Sequence, residues 1–138
     1  MMYLSRGRYF MPSNDLVQSW LLKATHDLET AKIVVSHMPD YDDVIAFHCQ
    51  QAIEKALKGY LIFLDIEFKP VHDLGYLLNL TATKDGAFDI YFEEVDRISR
   101  YAVQIRYPDT IIKLTKFQIQ EAIAMADLIC TLVNGKIS

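Results

Sequence analysis

The chain contains few of the residues that break helices or cross-link small domains. Among 138 residues there are five glycines, four prolines and two cysteines, and purely apolar runs such as Tyr60–Leu64 are short. The scarcity of glycine and proline excludes a turn-rich β-sandwich and favours long helices. A membrane span needs about 20 apolar residues, so none is expected. A chain of this length buries roughly two-thirds of its unfolded surface, which predicts one compact domain.

The two cysteines lack the spacing of a metal site or of a secreted disulfide framework. Cys49 and Cys130 lie far apart in apolar stretches, without a Cys or His neighbour at the spacing that zinc ligands require. We therefore expect two buried free thiols, no metal and no cofactor. The N-terminus also lacks the apolar core of a signal peptide, so a reducing, cytoplasmic location is predicted.

An excess of positive charge is also missing. Fourteen Lys and Arg residues against eighteen Asp and Glu residues give a net charge of −4. This balance argues against a protein that coats DNA or RNA through bulk electrostatic attraction. A local basic patch is still compatible with this net charge.

What the chain does contain is hydrophobic periodicity at three- and four-residue spacing, which is typical of amphipathic helices. It predicts helices over residues 14–38, 42–66, 73–83, 88–105 and 115–134. Phe63 and Phe117 are among the residues expected to face the core. Because the connections are short, we predict an all-α fold, an up-and-down antiparallel bundle of four long helices plus one short helix. The expected organisation is a flexible N-terminal extension (1–13), a single helical domain (14–134) and a C-terminal tail (135–138).

Three short segments, together with Trp20, Ala24 and Asp27-Leu28 of the first helix, carry a resemblance to a known family. These segments are the run QQAIEKALKG on the second helix, His72–Leu74 on a loop, and Arg106–Asp109 between the last two long helices. The set resembles the HEPN family, named for higher eukaryotes and prokaryotes nucleotide-binding. The resemblance implies a helical bundle that commonly forms a homodimer. It also implies a small nucleotidyltransferase as partner in many prokaryotes, and RNA-cleaving toxins among the members.

The chain departs from the pattern of the RNA-cleaving members. Those proteins carry Arg, four to six arbitrary residues and then His, where His transfers protons and Arg stabilises the phosphorane charge. No His follows Arg97, Arg100 or Arg106 at that spacing, and no histidine occurs after His72. Catalytic residues therefore cannot be assigned by the family motif, and a non-catalytic module is favoured.

A polar stripe on the second helix is the first candidate site. His48, Gln51, Lys55 and Lys58 recur at i, i+3, i+7 and i+10 on one face. They could present donors to a phosphate-bearing ligand, or they could be the solvated face of the helix. In the second case Glu54 and Lys58 form an ordinary i,i+4 ion pair.

The segment after the fourth helix is the second candidate site. Arg106 could grip a phosphate while Tyr107 stacks on a base. Alternatively, the segment is a structural turn in which Pro108 stops the helix, Asp109 caps the next stretch of chain and Arg106 pairs with Asp109.

Three further predictions concern histidines and surface ion pairs. His72 is expected to cap the short helix or orient its loop, or else to contact a ligand. Arg100 is a candidate for the ligand groove, although Glu93–Arg97 and Asp96–Arg100 also fit i,i+4 surface pairs. His26 and His37 are expected on the surface.

Three functional hypotheses follow from these residues. The first is a HEPN-like module that binds a nucleotide or RNA through Lys55, Lys58, Arg100, Arg106 and Tyr107. It would act as a homodimer with a nucleotidyltransferase of a toxin–antitoxin-like pair. The second is a metal-independent endoribonuclease toxin that uses Arg106 and Tyr107, with His48 or His72 brought in by the fold or by the dimer. The third is a purely structural interaction protein.

Overall fold

The computed structural model describes residues 2–3, 11–109 and 113–138, with side chains for 14–109 and 113–138. The elements are β1 (Met2–Tyr3), β2 (Met11–Pro12), α1 (Ser13–His37), α2 (Asp42–Phe63), α3 (Leu74–Ala82), a 3₁₀ helix (Gly86–Tyr91), α4 (Phe92–Gln104) and α5 (Lys116–Ile137). The two short strands pair antiparallel. The predicted all-α bundle is confirmed. The extension predicted to be flexible lies mostly outside the described residues.

Helix α2 is the centre of the bundle. It packs most extensively on α1 and next on α5, and it also contacts α3 and α4. Residues on almost every side of α2 are buried, among them Ile45, Cys49, Ile53, Leu57 and Leu61. This follows from the wide apolar arc of its sequence, because a helix that is apolar nearly all round is stable only when it is covered all round.

The ends of α2 and α3 are set by local backbone chemistry. Helix α2 ends at Phe63 rather than near Ile66, because Asp65 adopts a left-handed backbone with a φ of 61°. Helix α3 begins after Asp73, whose carboxylate accepts a hydrogen bond from the backbone N–H of Tyr76. Asp73 therefore caps α3, which was one of the roles predicted for His72.

The fourth predicted helix begins differently in the structure. Asp85 accepts a hydrogen bond from the backbone N–H of Ala87 and starts a 3₁₀ helix, and α4 itself begins only at Phe92. The tighter turn directs Phe88 into the core, where it is fully buried. An apolar i, i+3 spacing fits both kinds of helix, so the sequence could not separate them.

Helix α5 begins at a capping box and runs beyond its predicted end. The Thr115 hydroxyl accepts from the Gln118 backbone N–H, and the Gln118 side chain accepts from Thr115 N–H. The helix continues past Asn134 to Ile137, and Lys136 in its last turn lies 3.2 Å from Asp85. That ion pair holds the helix end against the start of the 3₁₀ helix.

Two aromatic residues assigned to the core are on the surface. Phe63 is exposed and stacks on Tyr60, and Phe117 is 69% exposed in the first turn of α5. Both lie at helix ends, where fewer neighbouring elements are available to cover them. Within the described ranges, none of the helices combines the length and apolar character needed to cross a bilayer.

Candidate functional site

The polar stripe of α2 does not face solvent as a single row. Its side chains are divided between two acidic residues, Asp27 on α1 and Glu54 on α2 itself. Both acids are buried. Buried carboxylates must be paired and hydrogen-bonded, so each one organises the basic side chains around it.

Asp27 holds two residues of the stripe. One carboxylate oxygen lies 2.8 Å from His48 Nδ1, and the other lies 2.6 Å from Lys55 Nζ. Because an ionised carboxylate only accepts hydrogen bonds, the Nδ1–H of His48 donates to Asp27. Within the described part of the chain, His48 Nε2 makes no hydrogen bond. The imidazole is therefore fixed by one nitrogen while the other is left available.

His48 lines a surface cavity of about 250 Å³ together with Asp43, Val44, Phe47 and Arg106. The Arg106 guanidinium carbon lies 5.9 Å from the centroid of the Phe47 ring, and that ring meets the His48 imidazole edge-on. This is a cation–π contact, which attracts the guanidinium to the Phe47 ring at the cavity wall. Pockets for drug-sized ligands begin at roughly 300 Å³, so this cavity has room for one phosphate group or one base.

Glu54 organises a separate cluster, in which Glu54, Gln50 and Lys58 are almost fully buried. Its carboxylate accepts from Lys58 Nζ at 3.0 Å, from Gln50 Nε2 at 3.1 Å and from His72 Nδ1 at 3.0 Å. Glu54 is 3% exposed and Lys58 is 6% exposed, and the Lys58 ammonium lies 5.7 Å from the Trp20 ring centroid. The predicted i,i+4 ion pair is present, but it is not on a solvated face, because α1 covers it.

His72 and Gln51 belong to the Glu54 cluster rather than to the cavity. The backbone carbonyl of His72 accepts from Gln50 Nε2, while its exposed ring donates to Glu54. Gln51 donates to the side-chain oxygen of Gln50. His72 therefore orients the loop before α3, which was one of its predicted roles. The other predicted role, capping α3, belongs to Asp73.

The remaining candidates are exposed and do not line the cavity. Tyr107 is 58% exposed, and Asp109 is also exposed. Arg100 pairs with Asp96 at 3.4 Å, as predicted. Arg106 lies over Phe47 instead of pairing with Asp109 among the described contacts.

One predicted surface pair is replaced by a longer-range contact. Arg97 donates to both oxygens of Glu121 on α5, at 3.1 and 2.8 Å, instead of pairing with Glu93. The bidentate contact raises the pKa of Arg97 above its ordinary value. Two donors on one carboxylate outweigh a single exposed i,i+4 contact, which explains the difference.

Neither cysteine can serve as a nucleophile. Both are free and buried, as predicted. Burial raises the pKa of Cys49 to about 12 and that of Cys130 to about 12, so the thiolate is scarce at neutral pH. In the part of the chain that the structure describes, no three His, Cys, Asp or Glu side chains are grouped as metal ligands. The polar groups at the cavity are the imidazole of His48, the guanidinium of Arg106 and the carboxylate of Asp43.

Two residues of this site were missed by the sequence reasoning. Asp27 orients His48, and Phe47 supports Arg106. A signal for Asp27 was present, because it lies three residues after Ala24 and four before Ala31 on the core-facing side of α1. A charged residue in such a position needs a buried partner.

Comparisons with known proteins agree with this architecture. The HEPN domain model matches residues 17–136. The crystal structure of ST0689, an archaeal HEPN homologue, matches this chain with a TM-score of 0.68 and 32% sequence identity. The match covers 88% of this chain and 98% of that one. TT1696 from Thermus thermophilus is 27% identical with a TM-score of 0.70, covering 87% and 97%. A search of curated proteins gives no match. The family model spans most of the chain and the resemblance in sequence is confirmed, so this protein belongs to the HEPN domain family.

Proposed function

We propose that this HEPN domain is a nucleotide- or RNA-associated module of the cytoplasm. It acts as a homodimer with a partner nucleotidyltransferase in a toxin–antitoxin-like pair. The observation that carries the ligand part is the cavity formed by His48, Phe47 and Arg106. It combines an arginine with an imidazole in a space of about 250 Å³, which suits one phosphate or base.

The homodimer part is supported by apolar side chains on one end of the bundle. Val103, Tyr107 and Phe117 are large, hydrophobic and exposed. They lie near the end of α4 and the start of α5, two segments joined by the hydrogen bond from Tyr101 Oη to the Gln118 carbonyl. Exposed apolar groups on neighbouring segments favour association with another protein surface.

Calorimetry tests the ligand part. We expect the purified chain to bind ATP, another nucleotide or a short RNA, and we expect Arg106→Ala to weaken that binding at least about tenfold. Arg100→Ala is the matched control, because it removes an arginine of the same segment that lies outside the cavity. Absence of binding to nucleotides and RNA above background, or equal losses in both variants, would contradict the proposed site.

Co-expression tests the partner part. A nucleotidyltransferase encoded beside this gene should co-purify with the chain, and light scattering should give the mass of a dimer for the chain alone. Phe117→Asp should shift that mass towards the monomer, because it places a charge on an exposed apolar side chain. An unchanged dimer would exclude Phe117 from the interface, and a wild-type monomer would overturn the homodimer.

The structure also indicates which variant tests the hypothesis of a purely structural interaction protein. Lys55→Ala is a poor probe, because it leaves the buried Asp27 short of one partner and lowers stability. Arg106→Ala removes an exposed side chain and leaves both buried clusters intact. If Arg106→Ala retained both ligand and partner binding, the structural role would be favoured.

A further inference from the structure

The cavity beside Arg106 is lined by charges of both signs. Asp43 lines it from the first turn of α2, and Arg106 lines it from the turn that follows α4. Among the described residues, the carboxylate of Asp43 forms no ion pair with Arg106 or with any other cation. Both charges are therefore open to a ligand within one space of about 250 Å³.

This combination of charges limits which ligand group fits inside the cavity. A phosphate that contacts Arg106 would share the small space with the carboxylate of Asp43, and the repulsion between the two anions would weaken its binding. A cationic group would be repelled by Arg106 in the same way. A neutral group with hydrogen-bond donors on one edge and acceptors on another avoids both repulsions. Nucleobases are flat, neutral groups of this kind.

His48 adds a second acceptor to the α2 side of the cavity. Its Nδ1–H donates to Asp27, so Nε2 carries the lone pair, and Nε2 makes no hydrogen bond within the described part of the chain. The carboxylate of Asp43 also only accepts hydrogen bonds, whereas the guanidinium of Arg106 only donates them. The ligand group must therefore offer N–H donors towards α2 and acceptors towards Arg106.

We propose that this cavity selects guanine among the nucleobases and that Asp43 determines the choice. Guanine has two adjacent donors, N1–H and N2–H₂, which fit a carboxylate, and two adjacent acceptors, O6 and N7, which fit the arginine fork. Adenine and cytosine each have one amino group and uracil has one N–H, so none of them can make both contacts with a carboxylate. The proposal rests on the proposed nucleotide or RNA association and names the base that is recognised.

Titration calorimetry of the full chain with ribonucleoside monophosphates tests this selection. One bidentate contact discriminates between bases by roughly 5- to 150-fold, so GMP should bind at least about fivefold more tightly than AMP, CMP or UMP. IMP, which lacks the N2 amino group, and 7-deaza-GMP, which lacks the N7 acceptor, should each bind more weakly than GMP. Guanosine should retain most of the affinity, and inorganic phosphate should compete poorly with GMP, because the base is the group inside the cavity.

Asp43→Asn separates base recognition from a structural role. The amide keeps an acceptor for N1–H but places its N–H₂ against the N2 amino group of guanine, so the affinity for GMP should fall at least about fivefold. Xanthosine monophosphate has an oxygen in place of that amino group, so the variant should bind it more tightly than the wild type does. Loss of folding cannot produce such a gain. Asp40→Asn is the matched control and should keep the wild-type preference, because Asp40 is an exposed acid of the turn before α2 that lines a different cavity.

The outcomes distinguish this proposal from the proposed function. Equal binding of GMP, AMP, CMP and UMP would overturn guanine selection. If that equal binding were lost in Arg106→Ala, the binding module would stand. Weaker GMP binding in Asp43→Asn without a gain for xanthosine monophosphate would exclude Asp43 from contact with the base. If no nucleotide and no RNA bound, the selection and the ligand part of the proposed function would both fail.

Discussion

Replacing Lys58 by methionine should destabilise the domain far more than a typical substitution of a charged helix residue. Lys58 is 6% exposed, and its ammonium lies 3.0 Å from Glu54, which is 3% exposed. Methionine fills a similar volume under Trp20 but leaves the buried carboxylate without its lysine. Removing one partner of a buried ion pair costs about 3–5 kcal/mol. Gln50 and His72 still donate to Glu54, so we expect the free energy of unfolding to fall by about 3 kcal/mol.

Thermal and urea unfolding measure this loss. For a chain of this length, about 3 kcal/mol corresponds to a drop in Tm of roughly 10 °C. Arg100→Met is the matched control, because Arg100 also forms an i,i+4 ion pair but is 68% exposed. Arg100→Met should lower the free energy of unfolding by less than about 1 kcal/mol. The double variant Glu54→Leu with Lys58→Met should be less destabilised than Lys58→Met alone, because it removes both charges.

The comparison between the lysine and arginine variants separates a buried pair from a solvated one. If Lys58→Met cost no more than Arg100→Met, the Glu54–Lys58 pair would be solvated in solution, and its burial beneath α1 would be refuted. The urea m-value should stay constant across the series, since a changed slope would indicate an altered denatured state instead.

The remaining predictions concern packing, pH and thiol reactivity. Gly59→Ala should lower stability by about 1–2 kcal/mol, because the new Cβ would lie 3.1 Å from a side-chain carbon of α1. Gly135→Ala, with nothing within 4 Å, should raise it by about 0.5–1 kcal/mol in the same melting assay. Hydrogen bonds from a tyrosine and a lysine hold the pKa of Asp85 below its usual value. Its contribution is therefore present above the unfolded pKa and is lost as pH falls through the lower folded pKa. The difference in unfolding free energy between wild type and Asp85→Asn should shrink from pH 7 to about pH 3. Cys49 and Cys130 should resist a thiol reagent at neutral pH and both react in denaturant, and fast labelling of the folded protein would contradict their burial.

Helix existence could be predicted from this sequence more reliably than helix ends. The long apolar stripes of α1, α2 and α5 correspond to real helices because burial of one face decides where a helix forms. The ends depend on single local contacts. The left-handed backbone at Asp65 ends α2, and the Asp85 cap starts a 3₁₀ turn. Neither contact produces a periodic pattern that could have been recognised.

The sequence predicted which polar residues share one face of α2, but it did not predict the acidic residues with which they pair. The spacing of His48, Lys55 and Lys58 placed them correctly on one side of α2. Their bonding depends on Asp27, which lies on another helix, and on Glu54, which lies at the edge of the stripe. A spacing rule within one helix contains no information on residues of the helix that packs against it.

The sharing of Asp27 follows from helix geometry. His48 and Lys55 are seven residues apart, so they lie on nearly the same line of α2, separated by about 10.5 Å along its axis. A carboxylate on the neighbouring helix between them can accept from the short imidazole on one side and from the long lysine on the other. Lys58 lies further round the helix and pairs with Glu54 instead. One polar stripe is thereby separated into a partly buried group, in which His48 and Lys55 share Asp27, and a core pair of Lys58 and Glu54.

The same pairing determines how much positive charge the surface retains. Four of the five basic residues that could have formed a local patch are held by acids, in the pairs Lys55–Asp27, Lys58–Glu54, Arg97–Glu121 and Arg100–Asp96. Arg106 makes no ion pair with another described residue and lies over Phe47 at the cavity. A polyanion gains little from these four cations because each is already paired with an acid, in keeping with the net charge of −4. Arg106 has the geometry to bind one phosphate by a bidentate contact, and the cavity beside it is large enough to hold that phosphate. If the proposed function is correct, we therefore expect one phosphate-bearing group to bind at Arg106 rather than a polyanion along the surface, because of the way the chain pairs its charges rather than because of their sum.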